Sequence, residues 1–513
     1  MSEMHRIFNI REMVDEILSW ISGKELATTA RVNRIWFFSS LPNLWKRVNI
    51  TAAFTPLAVS GLPISDEYHN HNFSHMNKFE SPTPSPAHWD RFLVYSEHVR
   101  VLLGSQDAVP ILMNATLWRP RTIDCFFPNL RSLIWPVFIE RLPNISLLIS
   151  PSLENISLGL CGVPFPSFQL LCETLSTRVK TLQSLQLIIC EPSDDMSQWI
   201  NSFNELLKAS ASTLTQVKTN AFQGEETLQW LRRLPRLRRL TICSAFDMTF
   251  DEESEMNTGE DYDELEKKDF GSLEKLTFTG SQQAFYDNFL TKSTLSSLAV
   301  VYWEKCIEID NPTSFFRTVS IACPLLTTLT IGDSEMYLIQ NDLPPIIPWT
   351  IVRVILSCKL LTRLSLHCCR VSMTSEELVE VLTSRPYWTP TKWEALKIYT
   401  ADPLSISDLL LYARYCPHLD TLGIHFDGHS LDDTLIGQAQ RQINDNPPGS
   451  ILPQGGIRTG SEHAGPYKFT KITSIDLAYS PWNPTLAHRL SSFLLTICEV
   501  APCVDGWEWE LQV

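Results

Sequence analysis

The sequence predicts an α/β solenoid, in which short parallel strands alternate with helices, preceded by a small all-helical unit. Three observations predict it. A phrase of three apolar residues, spaced three and then two apart, recurs along most of the chain. Helical segments run directly into several copies of that phrase. The first fifty residues, in contrast, follow a helical periodicity of their own.

The chain's 513 residues exceed what one ordinary core accommodates, so several domains or a repeat array are expected. Apolar residues make up 44% and charged residues 19%, the mix of a folded, soluble protein. With 42 basic against 57 acidic residues the net charge is -15. That balance argues against sequence-independent nucleic-acid binding and against an anionic membrane surface, both of which draw their affinity from basic charge. No stretch reaches the roughly 20 apolar residues of a membrane helix; the best, Ile346 to Leu356, is short and holds Pro348 and Arg353. Charged residues at the start leave no secretory signal. The 13 cysteines form no CxxC pair, so reduced thiols in cytosol or nucleus are expected.

The first fifty residues read as helices. Ile10, Met13, Val14, Ile17, Leu18 and Ile21 recur at spacings of three and four, and Gly23 ends that helix. A second is expected from Lys24 to Arg34, burying Leu26, Ala30 and Val32, and Pro42 breaks the chain before Leu44-Trp45. A segment this small leaves apolar surface for a partner to cover. Residues 51–95 follow as a linker rich in Ser, Pro and His, ending in Ser81-Pro82-Thr83-Pro84-Ser85-Pro86. His69, His71 and His75 lie there without a Cys or clear carboxylate partner, so no metal site and no cofactor are expected.

The repeat occupies residues 96–513. Its clearest copies are Leu153-Ile156-Leu158, Leu182-Leu185-Leu187, Leu237-Leu240-Ile242, Leu273-Leu276-Phe278, Leu326-Leu329-Ile331, Leu361-Leu364-Leu366, Trp393-Leu396-Ile398, Leu419-Leu422-Ile424 and Ile472-Ile475-Leu477; Leu130-Leu133-Trp135 is a degenerate one. Alternating residues of such a strand point to one side, and stacked units share a core that no single unit could build. Helical returns lie at Phe315 to Ala322 and Ser407 to Tyr415, stopped by Pro324 and Pro417. Insertions are expected near 245–270, which is acidic, and 427–467, which is rich in Gly, Pro and Asn. Gly506 to Leu511 reads as a capping edge strand. Positions flanking the second apolar residue face outward and carry Ser, Thr and cations. Arg239, Lys275, Arg363 and Lys397 are the candidates for holding an acidic or phosphorylated segment.

The repeating phrase resembles the leucine-rich repeat, whose consensus also places Asn or Cys three residues after the third apolar position. Cys161, Cys190 and Cys369 sit at that spacing and are read as structural. The N-terminal segment resembles an F-box through Glu16-Ile17-Leu18, Glu25-Leu26, Val32-Asn33-Arg34-Ile35-Trp36 and Leu44-Trp45-Lys46, in a variant similar to fungal ones. It departs from the pattern in Arg11, where an opening proline belongs, and Asn33, where Cys or Ser is usual. The combination resembles the substrate receptors of Skp–cullin–F-box ubiquitin ligases. That resemblance implies a Skp-type adaptor and through it a cullin as partners, a protein substrate on the solenoid, and no catalytic residue in this chain. Ile10, Met13, Ile17, Leu18, Leu26, Val32, Trp36 and Trp45 are its adaptor-binding candidates. The alternative is a repeat scaffold acting outside ubiquitin transfer. No glycine-rich phosphate loop, HExxH or GxSxG motif occurs, so an enzyme is not expected.

Overall fold

The structure, a computed structural model, describes residues 10–57, 83–105, 109–139, 145–190, 196–220, 225–242, 270, 272–279, 297–302, 312–332, 346–355, 358, 360–383, 393–426, 436–437, 441, 468–477, 484–498 and 502–505. The chain forms two compact units, Met1–Lys268 and Asp269–Val513.

The first unit opens with helices α1 (Arg11–Ser19), α2 (Gly23–Thr29) and α3 (Arg34–Leu44). Val14, Leu18 and Leu26 form their core, with Ile21, Trp36 and Leu44 half-buried against it. The single helix expected over Lys24–Arg34 is divided instead. Asn33 accepts hydrogen bonds from the N–H groups of Ile35 and Trp36, at 2.9 and 3.1 Å, and so starts a new helix. Val32, just before that cap, is exposed rather than buried. Gly23 begins α2 rather than ending α1. Pro42, expected to break the chain, is accommodated in the last turn of α3 on an exposed flank, where its missing N–H matters least.

The repeats of this unit follow as β1 (Arg47–Asn49), α4 (Ile50–Phe54), α5 (Pro86–Ser96), β2 (Val101–Leu103), α6 (Val109–Trp118), β3 (Ser132–Ile139), β4 (Asn155–Cys161), α7 (Phe165–Arg178), β5 (Ser184–Cys190), α8 (Met196–Ala209), β6 (Gln216–Thr219), α9 (Glu225–Arg232) and β7 (Arg239–Ile242). Each strand pairs in parallel with the next in sequence, as the helical returns between them require. One carbonyl before each strand fixes the register. The carbonyls of Arg100, Arg131, Glu154, Gln183 and Thr215 each accept two N–H groups from the repeat that follows, at 2.7 to 3.0 Å. Burial alternates along β4, with Ile156, Leu158 and Leu160 inward. At the end of β5 the buried side chain of Asn220 takes over from the backbone ladder: it receives the Ile189 N–H at 2.7 Å and donates to the Ile189 carbonyl.

The stretch expected to be a linker is helical at both ends. Its Ser/Pro run leads into α5, with Pro86 in the first turn and Ser85 bonded to His88. Phe54 of α4 and Trp89 and Phe92 of α5 are buried with Phe126 and Phe127, their ring centroids 5.2 to 6.2 Å apart. Each such aromatic pair adds about 0.5–1.5 kcal/mol beyond area burial. The histidines at 69, 71 and 75 lie outside the described residues.

The second unit contains β8 (Lys275–Thr279), β9 (Ser297–Tyr302), α10 (Pro312–Ala322), β10 (Thr328–Ile331), β11 (Ile346–Pro348), α11 (Trp349–Ile355), β12 (Arg363–Ser372), α12 (Ser375–Thr383), β13 (Ala395–Thr400), α13 (Ile406–Tyr415), β14 (Thr421–Gly423), β15 (Ser474–Asp476), α14 (Pro484–Ile497) and β16 (Cys503–Asp505). All pairings are parallel and in sequence order, except that β11 joins the far end of β12. The same two-fold acceptor recurs at the carbonyls of Thr327 and Asp420. The stretch Ile346 to Leu356 thus divides into a short strand and helix, and among the described residues no helix is long and apolar enough to cross a membrane. Most of 245–270 and 427–467, and Gly506 to Leu511, lie outside the described residues.

Candidate functional site

Two surfaces carry the residues singled out from the sequence. The first is on the N-terminal helices. Helix α1 has two adjacent apolar stripes: Val14, Leu18 and Ile21 face the small core, whereas Ile10, Met13, Ile17 and Trp20 run beside them. Ile10 and Met13 are exposed, Trp20 is 83% exposed and Val32 64% exposed. Ile35 and Phe38 of α3 are exposed as well, with the Arg34 guanidinium over the Phe38 ring at 5.7 Å. Of the adaptor candidates, Leu18 and Leu26 point inward and build the core. Ile17 and Trp36 are half-buried, and Trp45 stacks on Tyr95 at 4.5 Å. Sequence reasoning missed Trp20, Ile35 and Phe38. The signal for Trp20 was present, since it continues the spacing of Ile10, Met13 and Ile17 by three more residues.

The second surface is the outward side of the strands. Arg239 (β7) and Lys275 (β8) are exposed there. Arg363 is exposed too, but its Nε lies 2.7 Å from Glu394 Oε2. Lys397 is largely enclosed. Its Nζ sits 3.0 Å from Asp476 Oδ2, and the hydroxyl of buried Tyr399 donates to that same oxygen at 2.8 Å. Lys397, Gly423 and Asp476 are register partners on three successive strands. Glycine at the middle position lets the lysine cross β14: a Cβ at Gly423 would stand 2.7 Å from Lys397 Cγ and 2.8 Å from its Cβ. The four cations read from the sequence as one group are therefore in three electrostatic states. Two face solvent, one shares an exposed ion pair, and one is neutralised inside a buried network that also leaves Ser365 Oγ 2.6 Å from His367 Nε2. Among the described residues, no group of three His, Cys, Asp or Glu side chains is placed to hold a metal. Buried Cys416 and Cys498 have their thiols pushed up to about 12 by desolvation, which keeps them neutral and unreactive.

One strand per repeat, inward leucines and parallel register define a leucine-rich-repeat fold. No family model matches the sequence, and no curated protein does. Among solved structures, the chain is similar to an internalin of Listeria monocytogenes (12% identity over 78% of this chain and 93% of that one, TM-score 0.33). It is also similar to a leucine-rich-repeat protein of Leptospira interrogans (13% identity, 90% and 99% covered, TM-score 0.31). A third is TLR13 in its complex with ssRNA13 (12% identity, 63% and 45% covered, TM-score 0.28).

Proposed function

We propose that this chain is the substrate-recognition subunit of a Skp–cullin–F-box ubiquitin ligase, docking on the adaptor through α1–α3 and holding a protein substrate on its repeats. The observation that carries this reading is the outward apolar stripe of α1 with exposed Val32, Ile35 and Phe38, on a helical cluster with a small core of Val14, Leu18 and Leu26. So much exposed apolar surface on so small a core fits a partner's groove. The departure at Asn33 is compatible with the F-box pattern, since Asn caps α3 as Ser would. In this role the chain contributes proximity rather than chemistry, raising the effective concentration of substrate near the ubiquitin-loaded enzyme.

The test is calorimetry of the full chain with a Skp-type adaptor, against a Met13→Ala plus Trp20→Ala variant. The parent is expected to bind. The variant should lose on the order of 100-fold, since buried aromatic anchors dominate interfaces, with unchanged melting. No binding by the folded parent overturns the reading in favour of a repeat scaffold outside ubiquitin transfer.

A further inference from the structure

Ser365 and His367 stand two positions apart on β12, so both leave the strand on its outward side. Ser365 is half-buried and His367 buried, and the serine Oγ lies 2.6 Å from the ring Nε2. Behind the ring, Nδ1 lies 3.5 Å from the hydroxyl of Tyr399 on β13. That hydroxyl donates its hydrogen to Asp476 Oδ2, so toward the ring it presents only lone pairs. The hydrogen at the Tyr399 contact therefore belongs to Nδ1, and a neutral ring then turns the lone pair of Nε2 to Ser365. Every donor in the chain Ser365–His367–Tyr399–Asp476 points the same way, toward a carboxylate held by Lys397 at 3.0 Å. A second serine–histidine contact lacks this order. Ser85 Oγ is 2.7 Å from His88 Nδ1 at an exposed helix start, but that nitrogen also receives the Ser85 N–H at 3.1 Å.

We infer that this chain carries an acyl-transfer site, with Ser365 as nucleophile, His367 as its general base and a small carboxylic ester as substrate. The inference goes beyond the substrate-receptor reading and does not rest on it. Ser365 Oγ attacks the acyl carbon while its proton moves to His367 Nε2. The ring passes that proton to the departing alkoxide as the ester C–O bond breaks, which leaves an acyl-serine and an alcohol. Water then attacks by the same route, releasing a carboxylic acid and restoring the serine. Tyr399 and Asp476 are positioning residues: they hold the tautomer that keeps Nε2 basic. Thr330 of β10 and Lys397 of β13 are the register partners of Ser365. The Thr330 residue is half-buried one strand spacing away, about 4.8 Å, so its hydroxyl can donate to the oxyanion that forms at Ser365. Ser365 lies in a strand rather than in a glycine-flanked turn, so a search for nucleophile motifs passes over it.

The experiment treats the full chain with a biotin-linked fluorophosphonate, which reacts with activated serines. The Ser365 Oγ–P bond forms, the P–F bond breaks, and fluoride and the serine proton depart. The adduct is expected on Ser365 by mass spectrometry, with none on Ser85. Prior incubation with p-nitrophenyl acetate should protect Ser365 and release nitrophenol in a burst matching the amount of chain, a readout free of any substitution. Ser365→Ala should abolish both signals. His367→Gln should slow labelling about 100-fold or more, the share of a general base. Tyr399→Phe tests positioning: in NMR of isotope-labelled histidine the parent ring should carry its proton on Nδ1, and the variant should lose that preference with its circular dichroism unchanged. An unlabelled Ser365 in the folded parent, equal labelling of Ser85, labelling of Ser365 that persists in the heat-unfolded chain or in His367→Gln, or a parent ring protonated on Nε2 alone overturns the proposal.

Discussion

Removing the lysine from the buried pair of the second unit should cost far more than removing the arginine from the shorter, exposed one. The perturbations are Lys397→Met and Arg363→Met, which keep a stem and delete a charge. Distance alone ranks the Arg363–Glu394 pair first, at 2.7 Å against 3.0 Å. Exposure reverses the order. Arg363 and Glu394 are each 53% exposed, so water replaces the lost partner, and the expected loss is about 0–1 kcal/mol. Lys397 and Asp476 are 22% and 9% exposed, so the variant strands a carboxylate with little water. Breaking such a pair costs ~3–5 kcal/mol, and the surviving Tyr399 hydrogen bond places this case at the lower end. About 3 kcal/mol corresponds to roughly 100-fold in an opening equilibrium. Amide hydrogen exchange resolved to peptides of β13 to β15 is the assay, because it reports local opening where a whole-chain transition would average over both units. Exchange there should accelerate about 100-fold in Lys397→Met and hardly at all in Arg363→Met. Gly423→Ala, which pushes the lysine stem aside, should reproduce part of the effect. Adding Asp476→Leu to Lys397→Met should restore much of the protection. Equal acceleration in the lysine and arginine variants would refute the reasoning.

Three further outcomes follow from the packing. Gly104→Ala should destabilise the first unit by about 1–3 kcal/mol or more through overpacking, since the added Cβ would lie 2.1 Å from Trp135 Cδ2; Trp135→Leu in the same chain should relieve it, as thermal melting would show. Asn33→Ala removes the α3 cap and should cost about 1 kcal/mol, read as faster exchange at Ile35 and Trp36. Burial raises the Cys416 and Cys498 thiols from 9.0 in the open chain to about 12, so they hold their protons where the unfolded state has lost them. Their contribution is complete below pH 9 and is lost as pH rises towards 12. The melting temperature of the second unit should therefore fall across that interval, and a Cys416→Ala, Cys498→Ala variant should show a shallower fall.

The repeat was legible because its signal is covalent in spacing and redundant in number. The inner positions of phrases such as Leu182-Leu185-Leu187 and Leu361-Leu364-Leu366 are buried. Less visible was β2, whose third phrase position carries no side chain. In β2 the phrase runs Val99, Leu102, Gly104, and the missing side chain is supplied from the following repeat by the Trp135 indole. A glycine opposite a tryptophan one repeat later is a readable signal, although only once the register is known. The outward cations were harder still. Periodicity tells which way Lys397 leaves its strand, but its fate depends on a glycine and an aspartate 26 and 79 positions later, joined to it only by the fold. The inward turn of Leu18 was hidden for the opposite reason: α1 carries two adjacent apolar stripes, and spacing alone does not choose between them, whereas the burial of Leu26 on α2 was expected from the sequence.

The paired N–H groups that converge on a single carbonyl at most of the described repeat boundaries separate the architecture from the length of its returns. The Asp420 carbonyl receives Thr473 and Ser474 at 2.8 and 3.3 Å although fifty-odd residues of sequence intervene, while that of Glu154 receives Gln183 and Ser184 across fewer than thirty. Because loop-closure entropy grows only with the logarithm of length, the cost of a longer detour is small once this junction is made. Evolution can therefore lengthen, shorten or replace a return without renegotiating the frame. For the same reason, the segment between Gly423 and Ser474 is where a foreign domain or a reporter could be spliced into the chain with the strands on either side still in step.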